Sequence, residues 1–173
     1  MTLKLPFLSD DHHFAITSMA VRVGLMDWQI ESLVATALTK QPTTAAFVLK
    51  NLASDRIVGL ARAVLLDSAA VDSAAVPPLF AEIEAIRAER NELIHWIWGE
   101  SPEGKAAIQV DARPFRMTQK KSRTDAEISA VADRAMKVIQ TLGAWQRDIL
   151  NQLHPALHET SETAVPQPNS LLS

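Results

Sequence analysis

A short stretch near the middle of the chain combines the side-chain types that phosphodiester chemistry on RNA requires. Arg90, Asn91 and His95 lie within six residues of one another, and Arg87 lies one helical turn before Asn91. An imidazole can accept or donate a proton near neutral pH. A guanidinium can bind a phosphate and offset the charge that develops in the transition state, and a carboxamide can orient either group. We identify Arg90, Asn91 and His95 as candidate catalytic residues and Arg87 as a candidate RNA-binding residue.

The position of Arg90 is unusual for a charged residue. A third predicted helix, from about Pro78 to Trp98, ends at Gly99 and carries an apolar stripe that this arginine interrupts. A buried guanidinium without a partner costs several kcal/mol, so Arg90 must be paired, lie at an opening of the bundle, or have a function. The structural alternative is that Arg90 pairs with Asp67 or Glu31 and that His95 fills space at the helix end. The stripe consists of Leu79, Ile83, Ile86, Leu93 and Ile97.

Two predicted helices precede this one. The first follows the cap-forming residues 9–11 and runs to about Thr39, with apolar residues at alternating spacings of three and four on one face. The second begins after Pro42 and ends near Asp67, with a break expected at Ser54. The stripe of the first helix consists of Ile16, Met19, Val23, Met26, Ile30, Leu33 and Ala37.

A fourth predicted helix completes the domain. It opens with residues 124–127 (Thr-Asp-Ala-Glu), which fit a capping box. Before it, residues 106–112 alternate weakly in hydropathy, which is typical of a short strand or hairpin. Four amphipathic helices with short or medium links predict an all-α fold, an antiparallel bundle of four to five helices in residues 1–153. Residues 154–173 are rich in Pro, Ser and Thr and are predicted to be a disordered tail.

The composition restricts the classes of function. No apolar run approaches the ~20 residues that a membrane-spanning helix needs, and we identify no signal peptide. The chain has no cysteine, which excludes disulfides, thiolate metal sites and a cysteine nucleophile. These features favour a cytoplasmic protein that does not bind a membrane. Since the formal net charge is −3, any binding of nucleic acid must use a local basic patch.

A basic patch of this kind lies between the third and fourth predicted helices. Residues 113–123 carry five positive charges and no negative charge. Contacts between basic side chains and phosphates give affinity that is independent of nucleotide sequence, so this segment is a candidate RNA-binding surface. The alternative is a mobile, solvated loop. The five residues are Arg113, Arg116, Lys120, Lys121 and Arg123.

The central motif resembles the signature of the HEPN superfamily. HEPN domains are helical bundles that carry an Arg, four to six further residues and then a His, usually with a polar residue directly after the Arg. The run Arg90-Asn91-Glu92-Leu93-Ile94-His95 fits with four intervening residues and Asn in the polar position. The flanks Arg87-Ala88-Glu89 and Trp96-Ile97-Trp98-Gly99 agree, and the layout of residues 10–152 is similar to that of single-domain bacterial members.

The resemblance implies a metal-independent endoribonuclease, with no cofactor, that dimerises to bring two copies of the motif together. Arg90 would hold the phosphate, His95 would act as general base or acid while the RNA 2′-OH attacks phosphorus, and Asn91 would position these groups. It also implies a toxin–antitoxin or phage-defence system, with a cognate antitoxin as a partner. Some HEPN domains have lost activity, so the alternative is a non-catalytic scaffold that binds RNA, nucleotide or a protein.

One departure from the superfamily narrows the biological role. In HEPN toxins paired with a nucleotidyltransferase, a Tyr two residues after the His receives nucleotides. This chain has Ile97 at that position and contains no Tyr at all. We therefore do not expect a nucleotidyltransferase as its regulatory partner.

Two other groups of residues are assigned structural roles. His12 and His13 lie beside two aspartates, but adjacent helical residues point to different faces, so we interpret this segment as a helix N-terminus rather than a metal site. The tryptophans at positions 28, 96, 98 and 145 are expected to pack in the core or at a dimer interface rather than to stack on bases.

Overall fold

A computed structural model describes residues 9–38, 49–95, 97–100, 107–111 and 118–153. Within these ranges the chain forms a helical bundle, as the sequence predicts. Its helices are α1 (Asp10–Leu38), α2 (Ser54–Asp67), α3 (Val76–His95) and α4 (Asp125–Leu153), with a short 3-10 turn (Ser73–Ala75) before α3. Three strands, β1 (Ile97–Glu100), β2 (Ala107–Asp111) and β3 (Thr118–Arg123), separate α3 from α4 and pair antiparallel in the order β1-β2-β3. The predicted tail, residues 154–173, lies outside the described residues.

The two longest helices begin where the sequence predicts, because each start carries its own cap. At the start of α1 the backbone N–H of His12 donates to Ser9 Oγ at 3.2 Å. At the start of α4 the N–H of Glu127 donates to Thr124 Oγ1 at 3.2 Å, and the N–H of Thr124 donates to Glu127 Oε2 at 2.9 Å. These reciprocal bonds form the predicted capping box and satisfy backbone donors that have no partner within the helix.

The interface between α1 and α4 shows that these two helices run parallel. Arg22 pairs with Asp133 at 2.5 Å, and further along both helices Gln29 Nε2 donates to Gln146 Oε1 at 2.6 Å. The amide of Gln146 also donates to Thr36 Oγ1 at 2.8 Å. Because sequence numbers increase together along both helices, the N-terminal ends of α1 and α4 lie at the same end of the bundle.

The hydrophobic core follows the predicted stripes closely. Five residues of the α1 stripe are buried, and Ile16 and Ala37 pack against the core. On α3 the stripe is buried on both sides of Arg90, and Val76 and Phe80 extend it toward the N-terminus of the helix. Burying such side chains removes apolar surface from water and drives the folding of the bundle. The buried residues of α4 are Ile128, Val131, Ala132, Ala135, Val138, Leu142 and Ile149.

Two predicted helix boundaries were wrong. The helix that carries the motif ends at His95 rather than at Trp98, and Gly99 lies within β1 instead of capping the helix. Ile97 pairs with Val110, so backbone pairing with β2 takes this β-branched and aromatic segment out of the helix. The same helix also begins earlier than predicted, at Val76 rather than at Pro78. Its first turn includes Pro77 and Pro78, at positions where proline is tolerated.

Other predicted features of the chain agree with the structure. The expected break at Ser54 is the start of α2, and the segment 106–112 contains β2. Among the described residues, no helix is long and apolar enough to cross a membrane.

Candidate functional site

The candidate catalytic residues lie on the last two turns of α3. Arg90 is partly buried, and its Nη1 donates a hydrogen bond to Oδ1 of the exposed Asn91 at 2.9 Å. The backbone of His95 forms the last helical residue, while its side chain lies outside what the structure describes. The motif therefore occupies the end of the helix, where the chain turns into β1.

The structure does not pair Arg90 with Asp67 or Glu31, the two carboxylates proposed as its structural partners. Neither Asp67 nor Glu31 forms an ion pair with Arg90 in the described part of the chain. Asp67 ends α2, twelve residues beyond Asp55, which corresponds to about 18 Å of helix. The contact described for the Arg90 guanidinium is instead a hydrogen bond to the uncharged side chain of Asn91.

Arg87 connects the motif helix to two other helices. Its Nε lies 3.4 Å from Asp27 Oδ1 on α1. Its Nη1 donates to Asp55 Oδ1 at 3.2 Å, and its Nη2 donates to Ser54 Oγ, both in the first turn of α2. A guanidinium that is held by three side chains from two helices is positioned to stabilise the bundle. These contacts favour a structural role for Arg87 over the RNA-binding role expected from the sequence.

Asp27 is a residue of this site that the sequence analysis missed. It is half-buried, and Oδ1 accepts no hydrogen bond within the described structure, although Arg87 lies close to it. Burial raises the pKa of Asp27, while the positive charges of Arg87 and Arg90 act in the opposite direction. The structure therefore brings the charges of Arg87, Arg90 and Asp27 into one cluster at the contact between α1 and α3.

We expect the variant Asp27→Asn to gain stability relative to the wild type as the pH rises. Because the folded-state pKa lies above the ordinary value of 3.8, the folded chain binds more protons than the unfolded chain between these two values. Across that window the wild type loses stability with rising pH, whereas the carboxamide of the variant does not titrate. Urea unfolding of both proteins from about pH 3.5 to about pH 7 measures the difference. A variant that loses stability relative to the wild type as the pH rises would contradict the assigned direction.

A second ionic network joins α3 to α4. Arg134 donates to Glu82 through Nε at 2.6 Å and through Nη2 at 3.1 Å, and Arg134 Nη1 donates to Glu89 at 2.5 Å. The hydrogen bonds to Glu82 and Glu89 raise the pKa of Arg134, and the bond from Arg134 lowers the pKa of Glu82. Glu89 also lies 3.9 Å from Arg123 Nη1. Arg134 of α4 contacts both glutamates, but only Glu89, which comes later on α3, also lies near Arg123, which precedes α4. The later part of α3 therefore lies beside the start of α4, and the two helices run antiparallel.

Arg123 belongs to this network rather than to an open basic surface. Its side chain is only 14% exposed, and its Nε is buried without a hydrogen-bond partner among the described residues. Its backbone carbonyl accepts a hydrogen bond from Nε2 of the buried His12 at 3.3 Å. These contacts favour a structural role for Arg123, which the sequence had assigned to RNA binding.

His12 is a structural residue whose importance the sequence did not indicate. Because a carbonyl can only accept, Nε2 must carry the proton in the bond to Arg123, and Nδ1 then accepts from the Ser9 hydroxyl at 2.8 Å. Both ring nitrogens of this buried side chain are thus satisfied. The imidazole ties the start of α1 to the end of β3.

The other predicted RNA-binding residues are described only in part. Lys120 and Lys121 lie on β3, where Lys121 pairs with Gln109 through the backbone, and their side chains lie outside the described structure. Arg113 and Arg116 lie outside the described residues altogether. Within the described ranges, no group of three or more His, Asp or Glu side chains is arranged to hold a metal ion.

A cavity of about 290 Å³ lies at the opposite end of the bundle from the motif. Asp67 at the end of α2 and Leu153 at the end of α4 both line it. None of the predicted site residues lies in its wall, so it does not extend the candidate site.

Comparisons with known proteins add no family to this geometry. No family model, characterised protein or solved structure matches the chain significantly. The likeness to HEPN domains therefore rests on the Arg90–His95 motif and on the helical bundle alone.

Proposed function

We propose that this chain is a metal-independent RNA endonuclease of the HEPN type that acts as a homodimer in the cytoplasm. The observation that carries the proposal is the environment of Arg90. This arginine interrupts an apolar stripe, is hydrogen-bonded to the neutral Asn91, and lies five residues before His95 on the same helix. A partly buried cation with this kind of contact is suited to bind an anionic group.

The electrostatics of the surrounding residues support Arg90 as the phosphate-binding group. The positive charge of Arg87 is balanced by Asp27 and Asp55, and that of Arg134 is balanced by two glutamates of α3. Those guanidinium groups are saturated by carboxylates and have little attraction left for a phosphate. The hydrogen-bond partner described for Arg90 is a carboxamide, and the Asp27 carboxylate acts on its guanidinium only by longer-range attraction, so this guanidinium is more available to a phosphate than those of Arg87 and Arg134.

The chemistry proceeds by transfer of the phosphoryl group within the RNA. The 2′-OH loses its proton to a base and attacks the adjacent phosphorus, while the bond from phosphorus to the 5′-oxygen breaks and that oxygen gains a proton. His95 acts as base or acid in these proton transfers, and Arg90 offsets the charge on the phosphate oxygens. Asn91 accepts a hydrogen bond from Arg90 and thereby holds the guanidinium in position.

Incubating the purified protein with RNA in EDTA tests the proposed reaction. Cleavage should persist in the chelator and should leave a 2′,3′-cyclic phosphate on one fragment and a 5′-hydroxyl on the other. Fragments that carry a 5′-phosphate, or activity that disappears in EDTA and returns with a divalent metal, would contradict this mechanism.

Lys120 and Lys121 are proposed to bind the RNA backbone. Replacing both with Gln should weaken RNA binding and reduce the slope of log Kd against log salt, by about one unit for each phosphate contact that is lost. Arg62→Gln is a suitable control, because this exposed arginine lies on α2, away from β3. Fluorescence anisotropy with a short RNA at several salt concentrations measures the slope. An unchanged slope would mean that these two lysines are ordinary solvated residues that do not contact the RNA backbone.

An endonuclease of this kind would serve as a toxin or phage-defence component, with a cognate antitoxin as its partner. The second candidate function is a non-catalytic HEPN-like scaffold that binds RNA, nucleotide or a protein. The observation in its favour is that Arg87 and Arg123, two of the residues expected to contact RNA, are held in internal ion pairs. If the wild type cleaves no RNA yet binds it, the scaffold is the correct function.

A further inference from the structure

The outer face of α1 carries apolar side chains that the bundle does not cover. Phe14 is 76% exposed and Trp28 is 62% exposed, and Val21 and Leu25 between them are also exposed. At 100° per residue these four positions fall within about 60° of one another. The buried stripe of the same helix, centred on Met26, lies on the opposite side. Helix α1 therefore has two apolar faces, of which the core uses one.

No charged residue interrupts the outer face between its two aromatic ends. The positions that share this face are, in order, Phe14, Thr17, Ser18, Val21, Gly24, Leu25 and Trp28. The neighbouring Arg22 lies to one side and is engaged with Asp133, and Asp27 is directed toward Arg87. We define these seven residues as the outer stripe.

The outer stripe is symmetric about Val21. Phe14 and Trp28 each lie seven residues from it, and Ser18 and Gly24 each lie three residues from it. When two such helices meet antiparallel, each Phe14 faces a Trp28, and Val21 faces Val21 on the two-fold axis. Gly24 has open space around the position of an added Cβ, so it and Ser18 leave room for close approach.

We infer that the outer stripe is a self-association surface, on which a second copy of this chain packs its own α1 antiparallel. The exposed apolar area of the stripe is on the order of 400 Å² per copy, from side chains of this size and exposure. Two copies bury roughly 800 Å² of apolar surface before the polar rim is added, which approaches the ~1,200 Å² of a specific interface. Acidic residues flank the stripe at Asp11 and Glu31, which disfavours an anionic membrane as the occupant.

This inference extends the proposed function, and the role of the dimer in RNA cleavage rests on that function. Arg87 contacts Asp27 and α3 runs antiparallel to α1, so Arg90 lies about 4.5 Å from Arg87 in the direction of Val21. A two-fold axis at Val21 thus places the motifs of both copies near the same height along the dimer. Each dimer then carries two copies of Arg90 and His95 that are related by this axis.

Cysteine cross-linking tests the surface directly, because the natural chain has no thiol. Val21→Cys should form a disulfide-linked dimer under mild oxidation, since antiparallel packing about this residue brings its two copies within reach. Phe14→Cys alone should remain uncross-linked, because its two copies lie about 21 Å apart in that arrangement. A mixture of Phe14→Cys and Trp28→Cys should give a cross-linked heterodimer. Cross-linking of Phe14→Cys to itself, or none with Val21→Cys, would overturn the antiparallel surface.

Charge substitution provides a second measurement with a matched control. Trp28→Glu should convert a dimer to a monomer in light scattering at micromolar concentration, while Leu66→Glu, at an exposed leucine of α2, should leave the dimer intact. A wild type that is monomeric at these concentrations, or a Trp28→Glu variant that stays dimeric, would overturn the inference. Binding of the wild type to anionic vesicles, abolished in Trp28→Glu, would assign the stripe to a membrane instead.

The same proteins separate this inference from the proposed function. A wild type that dimerises through the outer stripe but cleaves no RNA refutes the nuclease and keeps the surface. A monomeric Trp28→Glu variant with full RNA cleavage supports the surface and refutes the need for a dimer in catalysis.

Discussion

Replacing His95 by alanine is expected to lower RNA cleavage by ~10²–10⁴-fold, because a positioned acid–base group typically contributes that much to the rate. His95 is the last residue of α3, so we expect the bundle to remain folded. The measurement compares the cleavage rate and the melting temperature of the same preparation. His154→Ala serves as the control for the loss of an imidazole and should leave the rate unchanged.

Arg90→Ala should lower cleavage to a similar extent while the melting temperature changes little. The hydrogen bond that it removes is with the exposed Asn91, and loss of one such bond costs little stability. Arg62→Ala on α2 is the matched control for loss of an exposed arginine. If Arg90→Ala unfolded the bundle, Arg90 would have a structural role. If cleavage also persisted in His95→Ala, His95 would not be catalytic and the cleavage would come from a contaminant.

Leu142→Ala is expected to lower the free energy of unfolding by about 2–5 kcal/mol, because it removes a fully buried side chain and leaves a cavity. Leu142 is 0% exposed on the core face of α4. Alanine has at least as high a helix propensity as leucine, so the loss reports packing rather than helix formation.

Leu150→Ala, further along the same helix, is the matched control for the core substitution. Leu150 is 40% exposed, and its replacement should lower the free energy of unfolding by about 1 kcal/mol or less, well below the loss at Leu142. Urea unfolding of the two variants measures both effects. Equal losses at the two positions would mean that the face of α4 toward solvent also packs against a partner.

The sequence alone determined the helical bundle and the position of the motif within it. The periodic stripes of α1 and α4 and the capping box at Thr124 depend on residues three and four apart, which any helix places side by side. The same local reasoning placed Arg90 on an apolar stripe and identified it as the anomalous residue. It also overextended α3, because the pairing of Ile97 with Val110 is a contact between separate strands that no helical period reveals.

Only the tertiary structure decided which charged residues neutralise one another. Arg87 meets Asp27, sixty residues earlier, Arg134 meets Glu82, and Arg123 lies near Glu89. Local spacing gives no indication of such pairs, since each partner looks like an ordinary surface residue in its own helix. Desolvation at the contact between α1 and α3 likewise raises the pKa of Asp27, although nothing in its local sequence marks it. The sequence could therefore mark Arg90 as exceptional. Only the packing of α1, α2 and α4 around α3 showed that Arg87 and Arg134 form ion pairs with carboxylates, whereas the hydrogen bond of Arg90 is to an uncharged side chain.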